Sequence, residues 1–248
     1  MISPLAIAVL AGVAFAAGLV DAIAGGGGLL TVPALLAVGL PPQLALATNK
    51  GQAAFGAVSS FASFWARGGI DRHRALRGFA FGFLGSLAGA QVLLLVRPEP
   101  LKPVILVLLL AAAGFVAYPR RATPEARPWA MQALAPIGFG LGFYDGFFGP
   151  GVGSLLIVTF VLVFGDTLTR ASGNAKVVNL ASNLAALGLF AVKGAVLWRI
   201  AAPMAAANAL GAFTGARLAV KRGDRFVRTI VLLVVTVLVL KMAYDLVR

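Results

Sequence analysis

Long stretches without a charged side chain dominate this sequence. Such apolar runs recur at 1–20, 22–49, 78–96, 103–119, 128–144, 146–165 and 200–216, with shorter ones at 51–66 and 177–192. Many of them approach the roughly 20 residues that a helix needs to cross the hydrocarbon layer of a membrane. The runs are continuous instead of alternating, which indicates helices rather than the strands of a barrel. The pattern therefore predicts an all-α polytopic membrane protein.

The composition agrees with this pattern. Of the 248 residues, 60% are hydrophobic and 12% are charged, whereas a soluble domain carries about 25% charged residues. A chain with so few charged residues cannot form the polar surface of a water-soluble protein. The first apolar run, Met1–Val20, has no basic segment and no cleavage site followed by a polar chain. We therefore interpret it as a retained membrane segment and not as a signal peptide.

The basic residues lie mainly in short loops between the apolar runs. In a soluble protein the net charge of +13 would suggest binding to nucleic acid, but this distribution is typical of membrane anchoring and orientation. We expect the lipid bilayer, and no nucleic acid, as a partner. The chain has no cysteine, and its one histidine, His73, lies among arginines as a solvated loop residue would. We expect neither a metal nor a cofactor.

The chain contains an internal repeat, which predicts its domain organisation. Near the start of each half a shift of 124 residues matches the two segments, and further along the shift is 126. We divide the chain into a first transmembrane repeat at 1–118, a polar linker at 119–128 and a second transmembrane repeat at 129–248. The matched pairs are Gly18 with Gly142, Asp21 with Asp145, Gly25 with Gly149, Lys50 with Lys176, Gly68 with Gly194, Gly85 with Gly211, Gly89 with Gly215 and Tyr118 with Tyr244.

Each half is predicted to contain a helix broken by glycine. In the first half a helix at about 4–24 runs into Gly25–Gly28, and the apolar piece Leu29–Leu40 follows. Twelve residues are too few to span a bilayer and suit a re-entrant half-helix. Further helices are predicted at about 43–66, 76–96 and 101–118. The second half repeats the pattern with a break at Gly149–Gly153, a half-helix near 154–165 and helices near 168–191, 200–219 and 227–247.

The basic loops indicate how the two halves are oriented. If each first helix and half-helix form a hairpin that returns to its own side, each half crosses three times and the second half is inverted. Inversion places twelve basic residues on one face and five on the other, whereas parallel halves give nine against eight. The cytoplasmic bias of Lys and Arg favours inversion, and inverted repeats with glycine breaks are typical of transporters. The twelve are Arg67, Arg72, Arg74, Arg77, Arg120, Arg121, Arg127, Arg170, Lys221, Arg222, Arg225 and Arg228.

The glycine breaks are candidate binding elements. Glycine has no Cβ, so the backbone can approach a ligand, and each break precedes a half-helix N-terminus with free N–H groups and partial positive charge. Such an N-terminus favours an anion. The alternative is that these glycines only permit close helix packing, as Gly85, Gly89, Gly211 and Gly215 do. The candidates are Gly26, Gly27, Gly28, Gly151 and Gly153.

Polar residues at hydrophobic depth extend the candidate site. Lys176 and two asparagines share one helical face in the second half, and a lysine inside a membrane costs at least about 2.5–3.5 kcal/mol, which makes it a functional candidate. The alternative is a lysine that reaches out to the interface. The predicted substrate-binding residues are Thr48, Asn49, Lys50 and Gln52 in the first half and Asn174, Lys176, Asn179 and Asn183 in the second.

Asp21 and Asp145 each precede a glycine break by one helical turn. Each carboxylate could accept from the N–H groups of its break and brace the loop, could pair with Lys50 or Lys176, or could carry a coupling proton. A carboxylate repels an anion, so we expect both to lie slightly behind the site.

These residues resemble the motifs of the sulfite exporter TauE/SafE family, also called the TSUP permeases. The first motif runs from Gly18 through Gly25–Gly28 to Pro33 and resumes at Thr48–Gln52, and the second is Asn174–Asn183. The resemblance covers nearly the whole chain. It implies a multi-pass transporter of the bacterial inner membrane that moves sulfite, sulfonates or related small anions, generally outward.

We therefore favour a secondary transporter that exports a small sulfur-containing anion such as sulfite or an organosulfonate. The alternative is an anion channel of the same architecture. We do not expect an enzyme, because the chain has no Gly-x-Ser-x-Gly elbow and no His-Glu-x-x-His motif, and it lacks the Walker A pattern of an ATP-driven pump. The oligomeric state is left open.

Overall fold

The computed structural model describes residues 3–97, 99, 101, 104, 107–108 and 125–247. Eight helical ranges have defined bounds among these residues, the last of them kinked, and no strand occurs among the described residues. Most of the predicted helix at about 101–118 and most of the linker 119–128 lie outside the described residues, although the described residues 101, 104, 107 and 108 are helical. The helices are α1 (Pro4–Ala24), α2 (Gly28–Ala37), α3 (Pro42–Ala66), α4 (Arg72–Leu95), α5 (Ala130–Phe147), α6 (Val152–Phe164), α7 (Leu168–Val192) and α8 (Trp198–Val247).

Long and short helices alternate in a repeated order. Among the described residues, helices α1, α4 and α7 are long and apolar enough to cross a membrane. Helices α2 and α6 have 10 and 13 residues, so at 1.5 Å per residue they extend about 15 and 20 Å, against a hydrocarbon layer of about 30 Å. Each short helix follows a long helix and a glycine-rich break.

Helix α4 begins earlier than the sequence predicted. We expected it at about residue 76, with the arginines before it in a loop, but it starts at Arg72. Asp71 is the reason, because its carboxylate accepts from the N–H groups of His73 (3.0 Å) and Arg74 (3.3 Å) and so caps the helix. Arg74 is consequently a buried helical residue, whereas His73 is exposed as expected.

The range α8 contains two helices that meet at a kink, in agreement with the two helices predicted at 200–219 and 227–247. The residues between them continue the helical path except at Gly223, whose φ of 67° and ψ of −164° are not helical. Glycine tolerates a positive φ at little cost, so the chain changes direction there without a loop.

Glycines bring helix backbones into direct contact in two places. Helix α1 packs along α8, and α5 packs along α4. A Cβ on Gly211 would lie 2.0 Å from the carbonyl oxygen of Phe15, and one on Gly85 would lie 2.1 Å from that of Phe139. The same holds for Gly89 and Gly215, which approach α5 and α1. These four glycines pack helices together, as predicted.

Helices α3 and α7 form the centre of the molecule and carry most of its buried polar residues. Helix α3 packs against α7 and α8, while α7 also contacts α4, α5 and α6. Their buried polar side chains include Thr48, Asn49, Lys50, Gln52, Ser60, Ser63, Ser172, Asn174, Lys176, Asn179, Ser182 and Asn183. A polar centre inside an apolar helical shell is where a membrane protein holds a functional site.

Candidate functional site

The two glycine breaks meet at the centre of the molecule. Gly25 and Gly26 have φ values of 66° and 143°, and Gly149 and Gly151 have 97° and 84°. Only glycine adopts these values readily, which explains why both breaks are rich in it. Gly25 also lies directly against the second break, because a Cβ there would sit 2.1 Å from the carbonyl carbon of Gly153. The breaks therefore form one structural unit.

Asp21 both braces the first break and forms an ion pair. Its Oδ1 accepts from the N–H groups of Gly26 (3.0 Å) and Gly27 (3.2 Å). Its Oδ2 lies 2.8 Å from Lys176 Nζ. Two of the three roles considered for this carboxylate therefore occur together, and the proton-carrying role stays a prediction.

Asp145 forms an ion pair without bracing its break. Its Oδ1 lies 2.5 Å from Lys50 Nζ, and Oδ2 accepts from Ser182 Oγ and, at 3.4 Å, from Asn183 Nδ2. Across the described residues, no backbone N–H of the second break donates to Asp145, and the Gly149 N–H donates to a carbonyl of α5 instead. The two aspartates therefore play different local roles.

The ion pairs run crosswise between the first and second parts of the chain. Lys50 pairs with Asp145, and Lys176 pairs with Asp21, so each lysine meets the aspartate of the other part. The side chains of Lys50 and Lys176 are 3% and 0% exposed. Neither lysine reaches out to an interface, so the alternative explanation for these residues does not hold.

A cavity lies between the breaks and the central helices. About 430 Å³ of space between atoms lies here, a volume that includes the open mouth of the cavity, and centres of water-sized molecules fit in about 30 Å³ of it. Both aspartates line it directly, although we expected them behind the site. The predicted residues that line it are Asp21, Gly27, Gly28, Asn49, Lys50, Gln52, Asp145, Gly151, Gly153, Asn179 and Asn183.

Four predicted site residues are not among those lining the cavity. The N–H of Gly26 donates to the Asp21 carboxylate, and Lys176 donates to the other oxygen of the same carboxylate. Thr48 Oγ1 accepts from the Leu197 N–H at 3.2 Å, and Asn174 Oδ1 accepts from the Asp71 N–H at 2.7 Å. Thr48 and Asn174 each hold the segment that leads into a neighbouring helix.

A second buried charge cluster surrounds Asn174, away from the cavity. Arg74 donates through two guanidinium nitrogens to both carboxylate oxygens of Asp166 at 2.9 and 3.1 Å, and its Nε lies 2.8 Å from Asp71 Oδ2. Asn174 Nδ2 donates to Asp166 at 2.7 Å. Burial of the Asp71 carboxyl opposes its ionisation, but the hydrogen bond and charge of Arg74 prevail and lower its pKa below the ordinary value. This cluster ties α4 to the segment before α7.

Unsatisfied amide groups line the cavity beside the ion pairs. Asn49 Oδ1 accepts from Thr31 Oγ1 at 2.6 Å and from Gln52 Nε2 at 2.9 Å. Gln52 Oε1 is buried without a hydrogen-bond partner. Asn208, on α8, is 5% exposed and lines the cavity, and its amide has no hydrogen-bond partner within the described part of the chain. A buried unpaired amide costs stability, so its place in a cavity points to a ligand.

Sequence reasoning missed several residues of this centre. Asn208 is a single asparagine in an apolar run, which could have marked it as buried and polar. Its side chain passes over α3 at Gly56, where a Cβ would lie 1.6 Å from Asn208 Oδ1. Ser182 lies within the second motif, and Ser154 donates to the carbonyls of residues 24 and 25 across the two breaks. These contacts depend on tertiary structure, which spacing does not reveal.

Relatives of this chain are membrane transporters by name. It is 38% identical over 248 residues to the probable membrane transporter protein YfcA of Escherichia coli (strain K12), a match that covers 99% of this chain and 92% of that protein. A probable membrane transporter protein of Haemophilus influenzae is 38% identical over 245 residues, covering 96% and 95% of the two chains. One from Sinorhizobium sp, called ORF9, is 35% identical over 241 residues, covering 94% and 90%.

No solved structure matches the chain significantly. The profile of the family described as sulfite exporter TauE/SafE matches residues 10–242, which is nearly the whole chain. Together with the apolar helices and the polar centre, these matches identify a multi-pass transporter of the inner membrane that acts on a small molecule. The chain belongs to the sulfite exporter TauE/SafE family of membrane transporters.

Proposed function

We propose that the protein is a secondary transporter that exports a small sulfur-containing anion, such as sulfite or an organosulfonate, and that the cavity between the glycine breaks is its substrate site. The observation that carries this proposal is the cavity itself, in which break backbone, two lysine–aspartate pairs and unpaired amides converge. The family description, sulfite exporter, supports the substrate class and the direction.

We also propose that the described helices belong to two homologous halves, 1–118 and 129–248, joined by the linker 119–128 and inverted in the membrane. Contacts that match under the repeat shifts support this. The Lys50–Asp145 pair corresponds to the Lys176–Asp21 pair, and the hydrogen bond to Thr48 corresponds to that to Asn174. The short helices α2 and α6 suit re-entrant half-helices, and the charge distribution favours inversion.

Inverted halves suit alternating access, in which the two parts rock about a central site. The ion pairs and the Gly25–Gly153 contact lie where the two parts meet. During such a movement these contacts would either break and form again or move together as one rigid unit. We propose that the anion binds in the cavity, among the predicted residues that line it. Thr48 and Asn174 hold the segments that flank it, and the oligomeric state is not part of this proposal.

The proposal is tested by binding and transport with purified protein. Isothermal titration with sulfite, thiosulfate and organosulfonates should give saturable binding of at least one of these anions. In proteoliposomes a carrier should exchange labelled for unlabelled anion across the membrane with saturation. Flux that does not saturate and shows no exchange would favour the channel, and absence of binding to every anion in the panel would contradict the substrate class.

A further inference from the structure

The charges at the cavity cancel. The charged residues that line it are Asp21, Lys50 and Asp145, and Lys176 stands behind Asp21 within 2.8 Å. The Lys50–Asp145 pair is almost completely buried, with side-chain exposures of 3% and 2%. Each lysine is therefore already compensated by a carboxylate, and the cavity offers no free positive charge to an incoming anion.

Neutral hydrogen-bonding groups remain available instead. Gln52 is 1% exposed, and its Nε2 donates to Asn49 Oδ1 at 2.9 Å, which leaves the second hydrogen of this amide nitrogen without an acceptor among the described residues. Asn208 is 5% exposed with an amide that no described residue binds. The N–H of Gly153 at the start of α6 has no acceptor among the described residues, whereas the N–H groups of Gly26 and Gly27 in the first break donate to Asp21. All three residues line the cavity, so it offers neutral donors in place of a free cation.

From this arrangement we propose that the site selects monovalent oxyanions over divalent ones of the same shape, and that it binds them through the amides of Gln52 and Asn208 and the N–H of Gly153. This inference rests on the proposed function, because it takes the cavity as the substrate site. The transported species is then a singly charged anion, such as a sulfonate or a protonated oxyanion.

The physical reason is the cost of placing charge in a buried site. The Born energy of transferring an ion out of water grows with the square of its charge, so a dianion loses about four times as much hydration as a monoanion of equal radius. Amides and one helix N-terminus can compensate a single charge in part. Without an uncompensated cation they do not compensate two.

Methanesulfonate and sulfate form a matched pair for this test. Both are tetrahedral at sulfur and similar in size, but methanesulfonate carries one negative charge and sulfate carries two. Isothermal titration should give a dissociation constant for methanesulfonate at least about tenfold lower than for sulfate. If no anion binds, including sulfite, the proposed function fails. If sulfite binds but methanesulfonate does not bind at least tenfold more tightly than sulfate, only this inference is overturned.

Substitution of one carboxylate should change the selectivity in a known direction. Asp145→Asn leaves the charge of Lys50 uncompensated and makes the cavity net positive, so the preference for methanesulfonate over sulfate should fall at least about tenfold. Asp21→Asn should act in the same way through Lys176. Asp166→Asn is the matched control, since it removes a buried carboxylate from an ion pair with Arg74 outside the cavity.

The control variant should keep the wild-type selectivity. Thermal unfolding of each variant identifies those that fold, and the two cavity aspartates provide independent chances of a folded protein. An unchanged ratio of the two dissociation constants in a folded Asp145→Asn or Asp21→Asn protein would overturn the inference, as would an equal change in Asp166→Asn.

Discussion

At the scale of single residues, both lysines of the central helices are paired with aspartates from the other part of the chain. A lysine within a membrane marks a functional site by default, and the sequence supported that interpretation. The structure adds that the charge of each lysine is already compensated. The lysines therefore link the two parts of the chain and neutralise the aspartates that line the cavity.

Removing one member of a pair should therefore reduce stability before it reduces binding. Lys50→Gln leaves Asp145 buried without its counter-ion, which should cost about 3–5 kcal/mol of unfolding free energy. The double variant Lys50→Gln with Asp145→Asn removes both charges and should recover most of this loss. Denaturant unfolding in detergent measures both. A double variant less stable than Lys50→Gln would contradict the ion pair.

Asn208 should contribute to binding without contributing to folding. Asn208→Ala removes an amide that has no described hydrogen-bond partner, so the unfolding temperature should stay unchanged or rise. The affinity for the anion should fall at least about tenfold, because a hydrogen bond to a charged group contributes about 1.5–3 kcal/mol. Ser59→Ala is the control, since Ser59 Oγ donates to the Ala209 carbonyl on the same helix interface outside the cavity. Equal affinities of Asn208→Ala and wild type would remove Asn208 from the site.

At the scale of helices, glycines serve two different purposes in this chain. Those in the long helices allow backbones to touch, and those in the breaks allow backbone conformations closed to other residues. Gly27 combines both, because a Cβ there would lie 2.7 Å from the Ala17 carbonyl oxygen of α1 while the residue also lines the cavity. A bulky residue at Gly27 therefore disturbs packing and does not test the cavity alone.

A clean separation of cavity from packing uses two other positions. Ala53 lines the cavity on α3, so Ala53→Leu should fill it and abolish anion binding while the protein stays folded. Gly215→Ala places a Cβ 2.4 Å from the Leu19 carbonyl oxygen, so it should separate α1 from α8 and lower the unfolding temperature by several degrees with little change in affinity. Retained binding in a folded Ala53→Leu protein would show that the anion binds elsewhere.

Most helices could be predicted from the sequence because apolar runs and breakers mark them strongly. Helix α1 spans the predicted residues. Helix α3 begins one residue earlier than predicted, and α7 ends one residue later. The start of α4 could not be predicted, because it depends on the Asp71 cap and on Arg74 finding Asp166 across the fold. The kink at Gly223 falls between the helices predicted at about 200–219 and 227–247, so the division of α8 into two helices was predicted from the sequence.

At the scale of the whole molecule, the membrane orientation of the two parts can be tested directly. The chain has no cysteine, so single cysteines at the exposed positions Ala66, Lys221 and Lys193 can be labelled from either side. Inversion predicts that Ala66→Cys and Lys221→Cys are labelled from the cytoplasm and Lys193→Cys from the opposite face. Labelling of Ala66→Cys and Lys221→Cys from different sides would contradict inversion.

The sequence predicted where the candidate site lies better than it predicted the net charge of the site. The glycine breaks and the polar residues at membrane depth predicted which segments form the site, and eleven of the predicted residues line one cavity. The crosswise pairing of lysines and aspartates, and the arrival of Asn208 from α8, arise from how distant helices meet. Residue spacing within one helix carries no information on such contacts.

The position of a bound anion tests most directly whether the cavity between the glycine breaks is the substrate site. A crystal structure with 2-bromoethanesulfonate, recorded at the bromine absorption edge, would locate this monovalent sulfonate by its anomalous signal. We predict density for the sulfonate between Gly153, Gln52 and Asn208, with bromine toward the mouth of the cavity. Bromine confined to the surface or to another cavity, with the space between the breaks empty, would contradict it.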